Sequence, residues 1–141
     1  ENIPFNACYV SPMHRAIETA TTITQDRDIP LFINNNLKEF NFGSIEGDSE
    51  EKLKTIYPIL HGQTVDGFDG DNMQDFTKRI LKGLDEIRKD NKEGNILVVT
   101  HSGVITALLN TISNLPEKDI IRIKNCSVTQ LEWNYGWKIC N

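Results

Sequence analysis

His101 closes an apolar, β-branched run, Ile96–Val99, and is followed by Ser102-Gly103 and then by Val104, Leu108 and Ile112 at helical spacing. A strand that ends in a short polar turn and starts a helix puts its last residues where open α/β sheets hold ligands. It also brings unpaired N–H groups and the positive end of a helix beside His101, which favours an anion. Arg15 has a similar setting. Ala7–Val10 reads as a short strand, Ser11 suits an N-cap and Pro12 the first helical position. Met13, Ala16, Ile17, Ala20 and Ile23 then mark one face of a helix running to about Asp26. A cation in the first helical turn is opposed by the dipole, so an anion bound nearby gives Arg15 a reason to be there. Between these two units Asn34–Asp48 has little periodicity and reads as a loop, in which Glu39 and Glu46 stand among Phe40, Phe42, Gly43 and Gly47. Loops that carry carboxylates and aromatics over strand ends are common functional positions. Each residue also has a plain reading: His101 as a turn histidine bonded to backbone, Arg15 as a solvated surface cation. Their shared setting favours the functional one.

The elements that must position these residues follow an α/β pattern. Ile96–Val99, bounded by Gly94, has the composition of a strand buried on both faces inside a parallel sheet, and Leu31–Ile33 reads as another short strand. Asp48 and Glu51 have capping-box spacing ahead of a short helix that Pro58 should end. The stretch Ile59–Gly70 is irregular; Asp66, Asp69 and Asp71 lack the glycine and final glutamate of a calcium loop, which excludes that reading. Asn72 can cap a long helix whose buried face is Met73, Phe76, Ile80, Leu84 and Ile87. Gly83 within it costs roughly 1 kcal/mol relative to Ala, a cost that close packing would justify. Ser127–Trp133 alternates, and Asn134-Tyr135-Gly136 can turn it back into Trp137–Cys140 as a terminal hairpin. The pattern predicts a three-layer α/β sandwich around a mostly parallel sheet, with a C-terminal hairpin.

Composition narrows the class of function. At 141 residues the chain reads as a single domain, 1–141, able to bury a core without metal or disulfide staples. Lys+Arg number 15 against 20 Asp+Glu, a net charge of −5, which argues against nucleic acid or an anionic membrane as partner. The cysteines, Cys8, Cys126 and Cys140, are odd in number and have no metal-ligand spacing, so a reducing, cytoplasmic setting is expected. No apolar stretch is long enough to span a bilayer, and no metal or other cofactor is implied.

Three stretches together, in this order, resemble the histidine phosphatase superfamily, also called phosphoglycerate mutase-like. YVSPMHRAIETA at Tyr9–Ala20 is similar to its SSPLxRAxxTA segment, LKEFNFGSIEG at Leu37–Gly47 to its LxExxFGxWEG loop, and NILVVTHSGVI at Asn95–Ile105 to its vlvVsHGgvi segment. The resemblance covers the whole chain and is weakest over Pro58–Asn72, where DGDN at Asp69–Asn72 stands in place of the usual GGES. Ser102 stands where the family has glycine, which leaves a backbone N–H available and adds a hydroxyl and a Cβ. The resemblance implies a phosphoglycerate mutase-like fold and a site for phosphate or a phosphorylated small molecule. In it Arg15 would hold the transferred phosphoryl group, and Glu39 would be the acid that protonates the leaving oxygen. His101 would donate to phosphoryl oxygens, assisted by the N–H of Ser102. Phosphoryl transfer needs such donors around the equatorial oxygens and a proton source for the leaving group. Glu39 as an acid needs desolvation, which Phe40 and Phe42 could supply.

The family's nucleophile is the histidine of an Arg-His-Gly motif ending a first strand that lies inside the sheet. No such tripeptide occurs here; His14 falls at a variable position of the first motif and His61 in the irregular stretch, and both read as surface histidines. The chain also opens on Glu1 rather than Met. The expectation is therefore an N-terminally incomplete domain with two exposed strand edges, inactive as written. It would belong to a phosphomonoester phosphatase that works through a phosphohistidine formed upstream. Phosphoglycerate mutase is one alternative, disfavoured by the short span between Glu39 and His101. A non-catalytic phosphate-binding module that keeps Arg15 and His101 is the other.

Overall fold

The computed structural model describes residues 3–114 and 123–140. Its strands are Ala7–Val10 (β1), Leu31–Ile33 (β2), Ile96–Val99 (β3), Leu131–Trp133 (β4) and Trp137–Ile139 (β5). Its α-helices are His14–Thr24 (α1), Glu50–Leu53 (α2), Tyr57–Leu60 (α3), Met73–Asp90 (α4) and Ser102–Ser113 (α5). β1 lies between β2 and β3 and is parallel to both, with Tyr9 opposite Phe32 on one side and Val98 on the other. Strand alternation sends Cys8 and Val10 to one face and Ala7 and Tyr9 to the opposite face, and all four are buried.

Helices cover both faces of this sheet. Ala16 and Ala20 of α1 pack on Cys8 and Val10, with Leu97 and Val99 beside them. On the opposite face Ala7, Tyr9, Ile96 and Val98 meet Leu37 and Ile87, the latter near the end of α4. The rest of the α4 stripe, Phe76, Ile80 and Leu84, forms a second core with Val104 and Leu108 of α5, Phe40 of the loop, and Ile56 and Ile59. The result is a helix–sheet–helix sandwich around a parallel sheet. β4 and β5 form a separate antiparallel hairpin in which Trp133 pairs with Trp137.

Several local expectations are corrected. α1 starts at His14 with Met13 as its N-cap; Ser11 and Pro12 precede it, and the Ser11 hydroxyl accepts the Met13 N–H at 3.3 Å. The buried row of α1 is Ala16, Ala20 and Thr24, while Ile23 faces out. Thr24 can take that place because its hydroxyl donates to the Ala20 carbonyl at 2.9 Å. β3 is parallel but half-buried and lies at the edge of the described sheet; β1, with a neighbour on each side, is the fully buried strand. Asp48 does not cap α2, whose N-cap is Ser49; its carboxylate pairs with Lys52 at 3.0 Å. Pro58 sits in the first turn of α3, where its missing N–H costs nothing, instead of only ending the helix before it.

Candidate active site

Each expected side chain is positioned by a junction. His101 is the N-cap of α5, directly after β3, in an extended conformation. The chain has to turn there because β3 runs into the sheet end at Val99 while Val104 and Leu108 must reach the α4 core. Arg15 lies in the first turn of α1, which contains no acidic residue. Glu39 lies between two short 3-10 turns, Asn35–Leu37 and Gly43–Ile45, in the loop after β2. Leu37 anchors that loop: it is buried, and the Thr100 hydroxyl, one residue before His101, donates to its carbonyl at 2.8 Å.

Glu39 and the start of α5 are in contact. The Gly103 N–H donates to Glu39 Oε2 at 3.2 Å, and the Phe40 N–H donates to Oε1 at 2.9 Å. One N–H that the sequence pattern left open for an anion is thus used by a carboxylate of the chain itself. A Cβ on residue 103 would run into that carboxylate, so glycine allows the approach. The rings of Phe40 and Phe42 pack edge-on beside Glu39 in the chain, and Phe40 continues into the core against Phe76. Glu46, the other loop carboxylate, accepts the Phe42 N–H at 3.3 Å and braces the turn.

His101 is 7% exposed, and its Nε2 lies 2.8 Å from the hydroxyl of Ser11, which is fully buried. Burial lowers the His101 pKa from its ordinary value; the nearby Glu39 charge opposes this and the Arg15 charge reinforces it. Ser102, the first residue of α5, is half-buried beside His101.

Sequence reasoning missed three residues of this arrangement. Ser11 reads as a helix cap, yet its hydroxyl meets the His101 ring. Arg79 gave no signal by type or spacing, and Asp71 drew notice only as a rejected calcium ligand, yet Arg79 on α4 bonds the backbone of the Glu39 loop and Asp71 accepts the Asn41 N–H at 3.0 Å. Asp69 has a parallel use: it accepts the Ser44 N–H at 2.7 Å, and chiefly that bond holds its pKa below the usual carboxylate value. A groove of about 660 Å³ lies elsewhere, at the β2 edge between Phe32 and Lys89, and contains none of these residues.

The chain is similar to known proteins over most of its length. The chain is 29% identical over 136 residues to "Uncharacterized phosphatase PhoE" of Bacillus subtilis, covering 92% of the chain and 65% of that protein. It is 27% identical over 132 residues to "Probable phosphoglycerate mutase GpmB" of Escherichia coli, covering 87% of the chain and 61% of that protein. The chain therefore spans less than two thirds of the length of these relatives. Its fold matches the solved structure of Bacillus stearothermophilus YhfR with a TM-score of 0.87 at 23% identity, over 99% of this chain and 74% of that one. The family model for the histidine phosphatase superfamily (branch 1) matches residues 1–140, and the chain belongs to that superfamily.

Proposed function

We propose that the chain is the greater part of a phosphomonoester phosphatase that works through a phosphohistidine, its nucleophilic histidine supplied by a segment outside these 141 residues. Membership of a superfamily of phosphatases and phosphoglycerate mutases supports phosphoryl transfer in general. The observation that carries the finer reading is the contact of Glu39 with the start of α5, beside a buried His101 that also feels Arg15. In this reading the Arg15 guanidinium grips two phosphoryl oxygens, charge-assisted bonds worth about 1.5–3 kcal/mol each. His101 and the Ser102 N–H donate to the equatorial oxygens. The incoming imidazole nitrogen forms a bond to phosphorus as the bond to the ester oxygen breaks, and Glu39 delivers its proton to that oxygen. Water then attacks phosphorus, the phosphorus–nitrogen bond breaks, and Glu39 recovers a proton from the water. The strand that carries the nucleophile would have to bring it to the carboxyl ends of the parallel strands, beside His101. The substrate is a phosphorylated small molecule, and the three free cysteines suit a reducing, cytoplasmic setting.

Phosphate titrated into the 141-residue chain and followed by ¹H–¹⁵N NMR should shift the amides of Arg15, His101 and Ser102 together. Absence of shifts there overturns the site. In a longer form that carries the nucleophile, Glu39→Gln should slow alkyl phosphates far more than activated aryl phosphates, because only the former need the proton. Equal losses on both remove Glu39 from the acid role. A second reading, a phosphate-binding module without turnover, is favoured by the histidines of the chain: His14 is exposed and paired with Glu18, and His61 is exposed at the end of α3.

A further inference from the structure

One guanidinium ties the Glu39 loop to α4. Arg79 Nη1 donates to the carbonyl of Asn36 at 3.1 Å and to that of Lys38 at 2.9 Å. Its Nη2 donates to the carbonyl of Glu39 at 3.4 Å and to Asp71 Oδ2 at 3.3 Å. The same group lies 5.1 Å over the ring of Phe76, one of the most completely buried side chains. Arg79 is thus fixed from below by the core and from the side by Asp71, and its remaining donors span three carbonyls within four residues of chain. A planar fork of five N–H donors can do this; the three donors of a lysine ammonium radiate from one point and cannot span the same set.

The position of these bonds along the loop matters. Upstream, Leu37 is held independently by burial and by the Thr100 hydroxyl. Downstream, Asn41 is held by Asp71. Besides its bond to the Asn36 carbonyl, Arg79 acts on the stretch between them, at Lys38 and Glu39. With its carbonyl drawn toward α4, Glu39 extends its carboxylate to the Gly103 N–H at the start of α5.

We propose that Arg79 is a positioning residue for Glu39: by holding the carbonyls of Lys38 and Glu39, one on each side of the Glu39 Cα, it keeps the carboxylate against the Gly103 N–H. The inference rests on the reading of Glu39 as the proton donor, since only that role makes its placement matter to catalysis.

The test is a pH titration of the 141-residue chain read at the Gly103 amide by ¹H–¹⁵N NMR. In the unmodified chain this amide follows the ionisation of Glu39, with an inflection that Glu39→Gln abolishes; a Gly103 amide that ignores Glu39 overturns the proposal. In Arg79→Lys the inflection loses most of its amplitude while the amides of Ala7–Val10 keep their positions, a pattern that a purely structural loss does not give. An inflection of full amplitude in Arg79→Lys overturns the proposal. Should that variant fail to fold, the unmodified chain decides: a clamped Arg79 shows separate, slowly exchanging Nη protons, and averaged signals from a freely rotating guanidinium overturn it. Retained clamping together with Glu39→Gln losses that ignore the leaving group would remove the proton-donor reading and leave the role of Arg79 standing.

Discussion

Burial at the junction of β3 and α5 makes protonation of His101 costly, and the consequence is measurable in stability. In the folded chain burial lowers the imidazole pKa below the ordinary 6.5, while the unfolded chain takes up the proton near that value. Because the unfolded state then binds more protons, stability falls as pH drops through about 6.5 and levels off once the lowered folded value is passed. Urea midpoints measured from pH 7.5 down to 5 should therefore fall in the unmodified chain and fall less in His101→Gln; parallel slopes would contradict the buried, neutral imidazole. Cys8 has the mirror-image behaviour at alkaline pH. Burial raises its thiol from 9.0 to about 11, so stability is full below 9.0 and declines as pH rises toward 11. The same burial predicts reactivity: at pH 8 a thiol reagent should label Cys126 and Cys140, both exposed, at once and Cys8 only as the chain opens. Three thiols labelled at one rate would place Cys8 outside the core.

At the scale of elements, Gly83 shows how a helix and a loop are fitted to one another. It faces the 3-10 turn at Asn35–Leu37, and a Cβ at this position would lie 2.7 Å from the Cβ of Asn36. Asn36 has little room to yield, because its side chain donates to Glu86 at 2.9 Å and its N–H to Asn34 at 2.8 Å. Gly83→Ala gains about 1 kcal/mol of helix propensity. Overpacking at such a contact costs about 1–3 kcal/mol, so the net change should be a loss of stability. A higher urea midpoint for Gly83→Ala would show that the turn moves away freely. The close packing expected from a glycine inside an amphipathic stripe was legible in sequence, as were the Asn72 cap, realised by its bond from the Asp75 N–H at 2.8 Å, and the core row of α4. These signals are local: each depends on residues within a few positions of one another. The edge position of β3 and the turning out of Ile23 were not legible, because neither follows from the segment itself. An apolar run reads alike at the centre and at the edge of a sheet, and which residue of α1 meets the sheet depends on where the helix starts. The site divides the same way. His101, Arg15 and Glu39 sit on recognisable junctions and motifs, while Ser11 and Arg79 act across 90 and about 40 positions of chain, a relation that only the fold creates.

For the molecule as a whole, the described sheet ends at β2 on one side and β3 on the other, and the hairpin of β4 and β5 stands apart from it. A phosphohistidine mechanism asks more of this frame than donors. It needs an imidazole aimed at phosphorus from the side opposite the leaving oxygen. Three histidines are present. His14 is exposed on α1, 3.5 Å from Glu18, and His61 follows α3; neither stands at the carboxyl end of a strand. His101 does, but its Nε2 lies 2.8 Å from the Ser11 hydroxyl, and in the donor role proposed for it His101 could not also attack phosphorus. Binding is a lesser demand, and the site proposed at Arg15 and the start of α5 would meet it without any nucleophile. The 141-residue chain by itself should therefore bind phosphate weakly and hydrolyse nothing. The check is release of the phenol from an activated aryl phosphate by the purified chain, measured beside its His101→Ala variant. Rates equal to buffer in both, with phosphate still shifting the Arg15 and Ser102 amides of the unmodified chain, are the expected outcome. Turnover that vanishes in His101→Ala would show that His101 does the attacking, and that the roles assigned to it and to the incoming strand are wrong.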